Sequence, residues 1–173
     1  MIELELTYLA KYLPRDLDRT KFKEIVDIYV PNGSDHLTLR IRKSGDKYEI
    51  TKKEPLKGKD SSIQLEQTIS LKEAEYMALS KIKGKTIKKK RYFYTFKDQP
   101  VEIDVFQGDL KGLVLIDFEF KTRKEKDNFK KPDFCLEEIT QEKFIAGGVL
   151  CSKSYNDLKK ELNRWGYKKI VMK

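Results

Sequence analysis

Histidine is almost missing from this sequence. His36 is the only one in 173 residues, so a Ser-His-Asp triad or a histidine-based zinc site would rest entirely on it, and neither is expected. Cysteine is nearly as scarce: Cys135 and Cys151 stand well apart, form no metal-ligand pair, and read as reduced structural thiols. No apolar run approaches the roughly 18 residues of a membrane span. The opening Met1-Ile2-Glu3-Leu4-Glu5 lacks the basic-then-apolar order of a secretory signal, so a cytoplasmic location is expected. Internal repeats and low-complexity tracts are also missing. Gly84-Lys85-Thr86 imitates the end of a P-loop, but Leu79 fills the place of that motif's first glycine, and the segment follows a helical pattern instead of opening one.

Charge, by contrast, is abundant. Charged residues make up 38% of the chain and hydrophobic ones 39%, and the formal net charge of +9 favours an anionic partner. The length suits a single domain over residues 1–173. Alternating polarity recurs in eight places and predicts strands over 2–8, 25–30, 36–43, 47–53, 62–69, 87–96, 100–106 and 112–120. Turns at Lys43-Ser44-Gly45-Asp46 and Lys97-Asp98-Gln99-Pro100 make antiparallel neighbours of the strands they join.

Helices are marked by their caps. Ser70 with Glu73 predicts one over about 71–82 that exits at Gly84, and Thr122 with Glu125 predicts another, stopped by Pro132. The last helix, over about 154–166, starts at Ser154, buries Tyr155, Leu158, Leu162 and Trp165, and closes at Gly166. A short helix around 16–23, a mobile polar loop over 54–61 and a frayed basic tail from Lys168 to Lys173 are further expectations.

In a strand, positions two apart share a face. Glu3 and Glu5 therefore oppose Ile2, Leu4 and Leu6, while Arg40 and Arg42 oppose Leu37, Leu39 and Ile41. Thr51 with Lys53, Gln64 with Glu66, Lys89 with Arg91, Glu102 with Asp104, and Asp117 with Glu119 form the polar faces of the other strands. A sheet with one face on helices and one in water explains alternation equally well. It does not explain why the charges are sorted by sign within strands, since a merely soluble face mixes signs. Paired arginines also suit bidentate phosphate binding.

If the sheet curls into a barrel, the polar faces converge on an ionic interior. Its basic strands then hold phosphate oxygens, and its acidic strands hold divalent cations. Paired carboxylates without histidine suit hard ions such as Mg²⁺ or Mn²⁺. The apolar exterior is left for the helices to cover.

Taken in chain order, these residues resemble the CYTH, or triphosphate tunnel metalloenzyme, family, which includes inorganic triphosphatases, thiamine triphosphatases and class IV adenylate cyclases. The run Glu3-Leu4-Glu5-Leu6-Thr7 is similar to the family's opening Glu-x-Glu-x-Lys. Next come the basic strand Leu39-Arg40-Ile41-Arg42, a hairpin return ending in Lys53, an acidic strand at Glu66, Lys89-Lys90-Arg91-Tyr92, and Glu102-Ile103-Asp104-Val105-Phe106 with Gly108 and Leu110. Val114 to Phe120 resembles the family's second metal-binding strand, and Glu137-Glu138-Ile139-Thr140 its Glu-Val-Thr element before a helix that plugs the barrel.

The resemblance implies an α+β fold, an eight-stranded antiparallel β-barrel forming a tunnel with a polar interior and helices packed outside. It further implies a bound triphosphate and catalysis assisted by Mg²⁺ or Mn²⁺. By carry-over, Arg40, Arg42, Lys53, Lys89 and Arg91 hold the phosphates, and Glu3, Glu5, Asp117 and Glu119 bind metal. Glu5, Asp117 and Glu119 are the catalytic candidates, with Glu66, Glu102 and Asp104 as supporting acids.

Hydrolysis of inorganic triphosphate is favoured, because the chain is short and has no obvious added recognition module. A class IV-type cyclase, a catalytically weak polyphosphate-binding protein and a nucleic-acid-binding domain are the alternatives. The last draws on the lysine-rich stretch 81–97 with Tyr92, Phe93, Tyr94 and Phe96 interleaved, although core packing accounts for those rings and paired acids on three strands repel nucleic acid. A monomer or homodimer is expected.

The chain departs from the family pattern in three places. Thr7 replaces a lysine, Gln64 stands where many relatives carry an acid, and Phe144-Ile145-Ala146-Gly147-Gly148 lacks the usual Tyr and Asn of the plug, with Gly147-Gly148 reading as a bend. Arg42, taken to face an aqueous tunnel, is expected to tolerate replacement by alanine without loss of the fold.

Overall fold

The computed structural model describes residues 2–31, 37–58 and 60–172. His36 lies outside them. Nine strands form, β1 (Ile2–Ala10), β2 (Phe22–Val30), β3 (Leu39–Ser44), β4 (Lys47–Pro55), β5 (Ile63–Leu71), β6 (Lys85–Phe96), β7 (Gln99–Phe106), β8 (Val114–Phe120) and β9 (Cys135–Glu138). Each neighbour pairing is antiparallel, in the order β5-β4-β3-β2-β6-β7-β8-β1, and β1 returns to β5 through Ile2↔Leu65, Glu3↔Gln64 and Leu4↔Ile63. This closes an eight-stranded barrel and removes the free edges of an open sheet. After Leu4, β1 leaves β5 and takes the short β9 as its neighbour on that side, from Tyr8 to Ala10.

All eight alternating segments form strands. β2 begins three residues earlier than the periodicity suggests, at Phe22, and the turn before it holds a single 3₁₀ turn, Leu17–Arg19, in place of the expected helix. Lys97 and Asp98 both take positive φ (48° and 64°), the geometry of a tight hairpin whose twist matches its strands.

The helices are α1 (Glu73–Leu79), α2 (Arg123–Asp127), α3 (Gly147–Leu150) and α4 (Tyr155–Arg164). The caps of α2 and α4 are those read from sequence: Thr122 Oγ1 accepts from the Glu125 N–H at 3.2 Å, and Asp157 accepts from the Ser154 N–H at 2.7 Å. Ser70 does not cap α1. It stays in the ladder opposite Glu49, and the helix starts two residues later, where Glu75 accepts from the Lys72 N–H at 2.7 Å. Among the described residues no helix is long and apolar enough to cross a membrane.

Because charged side chains turn inward, the outer faces of the strands are apolar and need cover. Outside β6, β7, β8 and β1, the buried Tyr92, Ile103, Ile116 and Phe118 pack with Phe134 and Cys135. Outside β2 to β5, Ile41 packs with Val30 and with Tyr76 of α1. Each fully buried side chain of this kind contributes about 1.5–3 kcal/mol.

A third cluster fills one end of the barrel itself. There Leu9, Tyr29, Ile87, Phe106 and Leu115 meet Leu150 of α3 and Leu158 and Leu162 of α4. These two helices lie outside the strand wall yet stop an end instead of sheathing a side. Gly147 and Gly148, read from sequence as a bend, open α3. A Cβ on Gly148 would stand 1.8 Å from the Leu37 carbonyl oxygen, and one on Gly147 1.9 Å from the Tyr29 hydroxyl, so only glycine lets the plug sit this close.

Two segments expected to be loose are fastened. In the 54–61 loop, Asp60 accepts from the Ser62 N–H and from Gln141 Nε2, both at 3.0 Å. In the tail, the Ile170 N–H donates to the Gly112 carbonyl at 3.0 Å, and the Tyr167 hydroxyl accepts from the Val114 N–H at 2.9 Å while donating to Gly112 at 2.8 Å. Tyr167→Phe leaves a buried N–H without an acceptor and is expected to cost about 1–3 kcal/mol. Urea unfolding reads this as a lower midpoint at unchanged slope; an unchanged midpoint would mean the tail is not a clamp.

Candidate functional site

The inward positions of the strands enclose a cavity of about 340 Å³. Every charged residue read from sequence as a site candidate lines it: Glu3 and Glu5 from β1, Arg40 and Arg42 from β3, Lys53 from β4, Glu66 from β5, Lys89 and Arg91 from β6, Glu102 and Asp104 from β7, and Asp117 and Glu119 from β8. The side-chain period of two does this directly, since closing the sheet turns each polar face to the axis. Thr7 and Gln64 line the cavity too.

Thr51 does not line it. It is buried against Thr68, their hydroxyls 3.1 Å apart.

Several lining residues escaped the sequence reading. Asp27 and Tyr29 come from β2, and Glu142 and Lys143 from the segment after β9, just past Thr140 of the element read from sequence, which lines the cavity too. Asp27 shares its face with Ile25 and Tyr29 and alternates with Val26 and Ile28, so it carries the period of two without a second charge beside it. Glu142 and Lys143 lie in a non-periodic stretch that carries no such signal.

Most of the cations are already bound by carboxylates. Arg42 forms a two-point pair with Asp27, at 2.6 and 2.8 Å, with both partners buried. Arg91 grips Asp104 twice at 2.7 Å and also meets Glu102, and Lys89 shares the same Asp104. Lys53 bridges Glu3 at 2.8 Å and Glu5 at 3.1 Å. Arg40 lies 3.6 Å from Glu66 and bonds the Tyr29 hydroxyl, and its Nε is buried with no hydrogen-bond partner among the described residues.

The Arg42–Asp27 pair changes one expectation. Arg42 is 7% exposed, so it does not stand in open water, and truncating it would strand a buried carboxylate.

The charge states follow from these contacts. Burial works to raise Asp27, but the Arg42 guanidinium outweighs it and holds the carboxyl well below the usual range. Asp104 is lowered in the same way by Arg91 and Lys89. Burial also pushes Lys89 down, with Arg91 and Arg42 adding repulsion that Asp104 only partly offsets. The carboxylate side behaves oppositely. Burial, with the neighbouring Glu5 and Asp104, pushes Asp117 up to about 8. Glu119 is likewise raised, by burial and by Glu102, Glu3 and Glu5. Thr7 stands within this acidic group, its hydroxyl donating to Asp117 at 2.7 Å.

Glu3, Glu5, Asp117 and Glu119 thus crowd together with more negative charge than the neighbouring cations neutralise. An all-oxygen donor set of this kind fits a hard divalent cation. Among the described residues no three His, Cys, Asp or Glu side chains are gathered closely enough to hold one; within the acidic group Lys53 meets Glu5 and Arg91 lies 3.8 Å from Asp117. Among the described residues nine carboxylates and six basic side chains line the cavity, a formal excess of three negative charges inside a chain whose net charge is +9.

The aromatic row of β6 offers no stacking platform. Tyr92, Tyr94 and Phe96 pack into the outer core beside Phe134, and only Phe93 is substantially exposed.

Comparison with known proteins agrees with this arrangement. The family model for the CYTH domain matches residues 2–143. An inorganic triphosphatase of Nitrosomonas europaea is 32% identical over 117 residues, covering 66% of this chain and 75% of that protein. One from Acetivibrio thermocellus is 30% identical over 122 residues, covering 70% and 76%. Among solved structures, a crystal structure of an inorganic triphosphatase superposes with a TM-score of 0.62 at 24% identity, over 86% of this chain and 93% of the other. A Pyrococcus horikoshii protein follows the same fold, with a TM-score of 0.51 at 18% identity over 96% and 92%. The extent of the family match and the closed tunnel with its opposed charges lead to one conclusion: this chain belongs to the CYTH domain family.

Proposed function

We propose that this protein hydrolyses inorganic triphosphate inside its tunnel, with Mg²⁺ or Mn²⁺ as the cofactor. The observation that carries the reading is Arg40, whose buried Nε has no acceptor and whose nearest carboxylate is 3.6 Å away. A buried guanidinium N–H left without an acceptor costs free energy that a phosphate oxygen would recover. Lys53, Lys89 and Arg91 stand around the same cavity. The relatives named as inorganic triphosphatases support the choice of substrate.

In this mechanism Arg40, Lys53, Lys89 and Arg91 bind the non-bridging oxygens and fix the chain of phosphates along the tunnel. Arg42 stands behind them, aimed by Asp27. Water attacks a terminal phosphorus, the bridging P–O bond breaks, and orthophosphate and diphosphate leave. One carboxylate of the Glu5, Asp117 and Glu119 group takes the proton from the attacking water. Glu3, Glu5, Asp117 and Glu119 would hold the cation, which when bound neutralises phosphate oxygens and acidifies or orients water.

The direct test is phosphate release from tripolyphosphate, ATP and thiamine triphosphate, each with Mg²⁺, Mn²⁺ or chelator. Metal-dependent release that is fastest from tripolyphosphate is expected. No turnover with any of them, together with no rise in melting temperature on adding triphosphate, would contradict the reading.

Two arginine variants should part ways. Arg40→Ala is expected to weaken triphosphate binding with little change in stability. Arg42→Ala should lose about 3–5 kcal/mol of folding stability, because Asp27 is left buried and unpaired. Equal stability losses in chemical denaturation would show that the two arginines do not have these separate roles.

A further inference from the structure

Among the described residues Lys143 is the one basic lining residue that does not come from a strand. The five strand cations all lie near carboxylates, the loosest at 3.6 Å. Lys143 lines the same cavity, yet it forms no ion pair and no hydrogen bond through its side chain among the described residues. Its ammonium is therefore uncommitted, and an incoming anion can recruit it without breaking an existing pair.

Its backbone, in contrast, is tightly placed. The preceding residues are fastened to β1 at Thr7: the Thr7 N–H donates to Thr140 Oγ1 at 3.0 Å, and the Ile139 N–H donates to the Thr7 carbonyl at 2.9 Å. Lys143 then opens a 3₁₀ turn, and its carbonyl accepts from the Ala146 N–H at 3.2 Å. Lys143 remains exposed at the rim, where Pro55 and Ser61 also line the cavity. A fixed Cα with a free, flexible four-carbon stem is the arrangement of a group that closes on a ligand after it arrives. Thr7, directly beside this segment, brings no charge of its own.

We propose that Lys143 is a further substrate-binding residue, whose ammonium grips the terminal phosphoryl group of a triphosphate at the rim of the tunnel. This rests on the triphosphate reading above and adds to it a phosphate ligand from outside the barrel wall.

Lys143→Gln and Lys143→Arg, assayed with tripolyphosphate and Mg²⁺, test it. Removing a single charge-assisted hydrogen bond at the rim should raise KM about tenfold in the Gln variant. kcat should stay near the wild-type value, Arg should return KM toward it, and the melting temperature without ligand should not move. A Gln variant with wild-type KM, beside a wild type that turns over, overturns this assignment alone. A wild type that neither hydrolyses tripolyphosphate nor is stabilised by it overturns the triphosphate reading and the role of Lys143 together.

Discussion

Nine carboxylates and six basic groups among the described residues line one small cavity, and each charge taken from water carries a desolvation cost of several kcal/mol. The barrel tolerates them because nearly every cation sits against an acid. Arg42 and Asp27 neutralise each other almost out of reach of solvent, and Asp104 is shared between Lys89 and Arg91. The rest of the molecule answers to this inversion. With polar groups inside, the outer strand faces are apolar, and α1, the 129–135 segment and the C-terminal tail are needed to cover them. At the plugged end the logic reverses. The lining becomes apolar, Gly147 and Gly148 let α3 approach within contact of Tyr29 and Leu37, and α4 closes over it.

The balance inside is incomplete on the acidic side. Asp117 is pushed up to about 8 and Glu119 is raised with it, because burial desolvates both carboxyls and the neighbouring carboxylates of β1 and β7 repel their charge. A triphosphate adds several more negative charges. The acidic excess and the substrate can share the tunnel only if cations enter with them. On the proposed triphosphate reading, a dependence on divalent metal follows from the lining as well as from the chemistry. Thr7 deepens the imbalance, for a hydroxyl bonded to Asp117 supplies no charge where a lysine side chain would.

Much of this was legible in the sequence because a period of two is insensitive to detail. Once Glu3 and Glu5, or Asp117 and Glu119, share a face, closure of the sheet brings them together whatever the loops do. Features set by tertiary contacts were not legible. Ser70 looked like a helix cap until strand pairing with Glu49 claimed it. Asp27 escaped because it is the lone charge in the apolar run 25–30, and with it went the fact that Arg42 is a buried, paired side chain. Glu142 and Lys143 reach the cavity only because β1 parts from β5 after Leu4 and the segment after β9 fastens beside Thr7. No local pattern encodes that.

The claim on which the account depends is that the acidic lining admits a triphosphate only together with divalent cations. Calorimetric titration of a non-hydrolysable triphosphate analogue measures this most directly, once with Mg²⁺ or Mn²⁺ and once in chelator at the same ionic strength. Saturable binding with metal and none in chelator is the predicted result. Binding of equal affinity in chelator would contradict it, because the tunnel's own cations would then suffice to hold the phosphates.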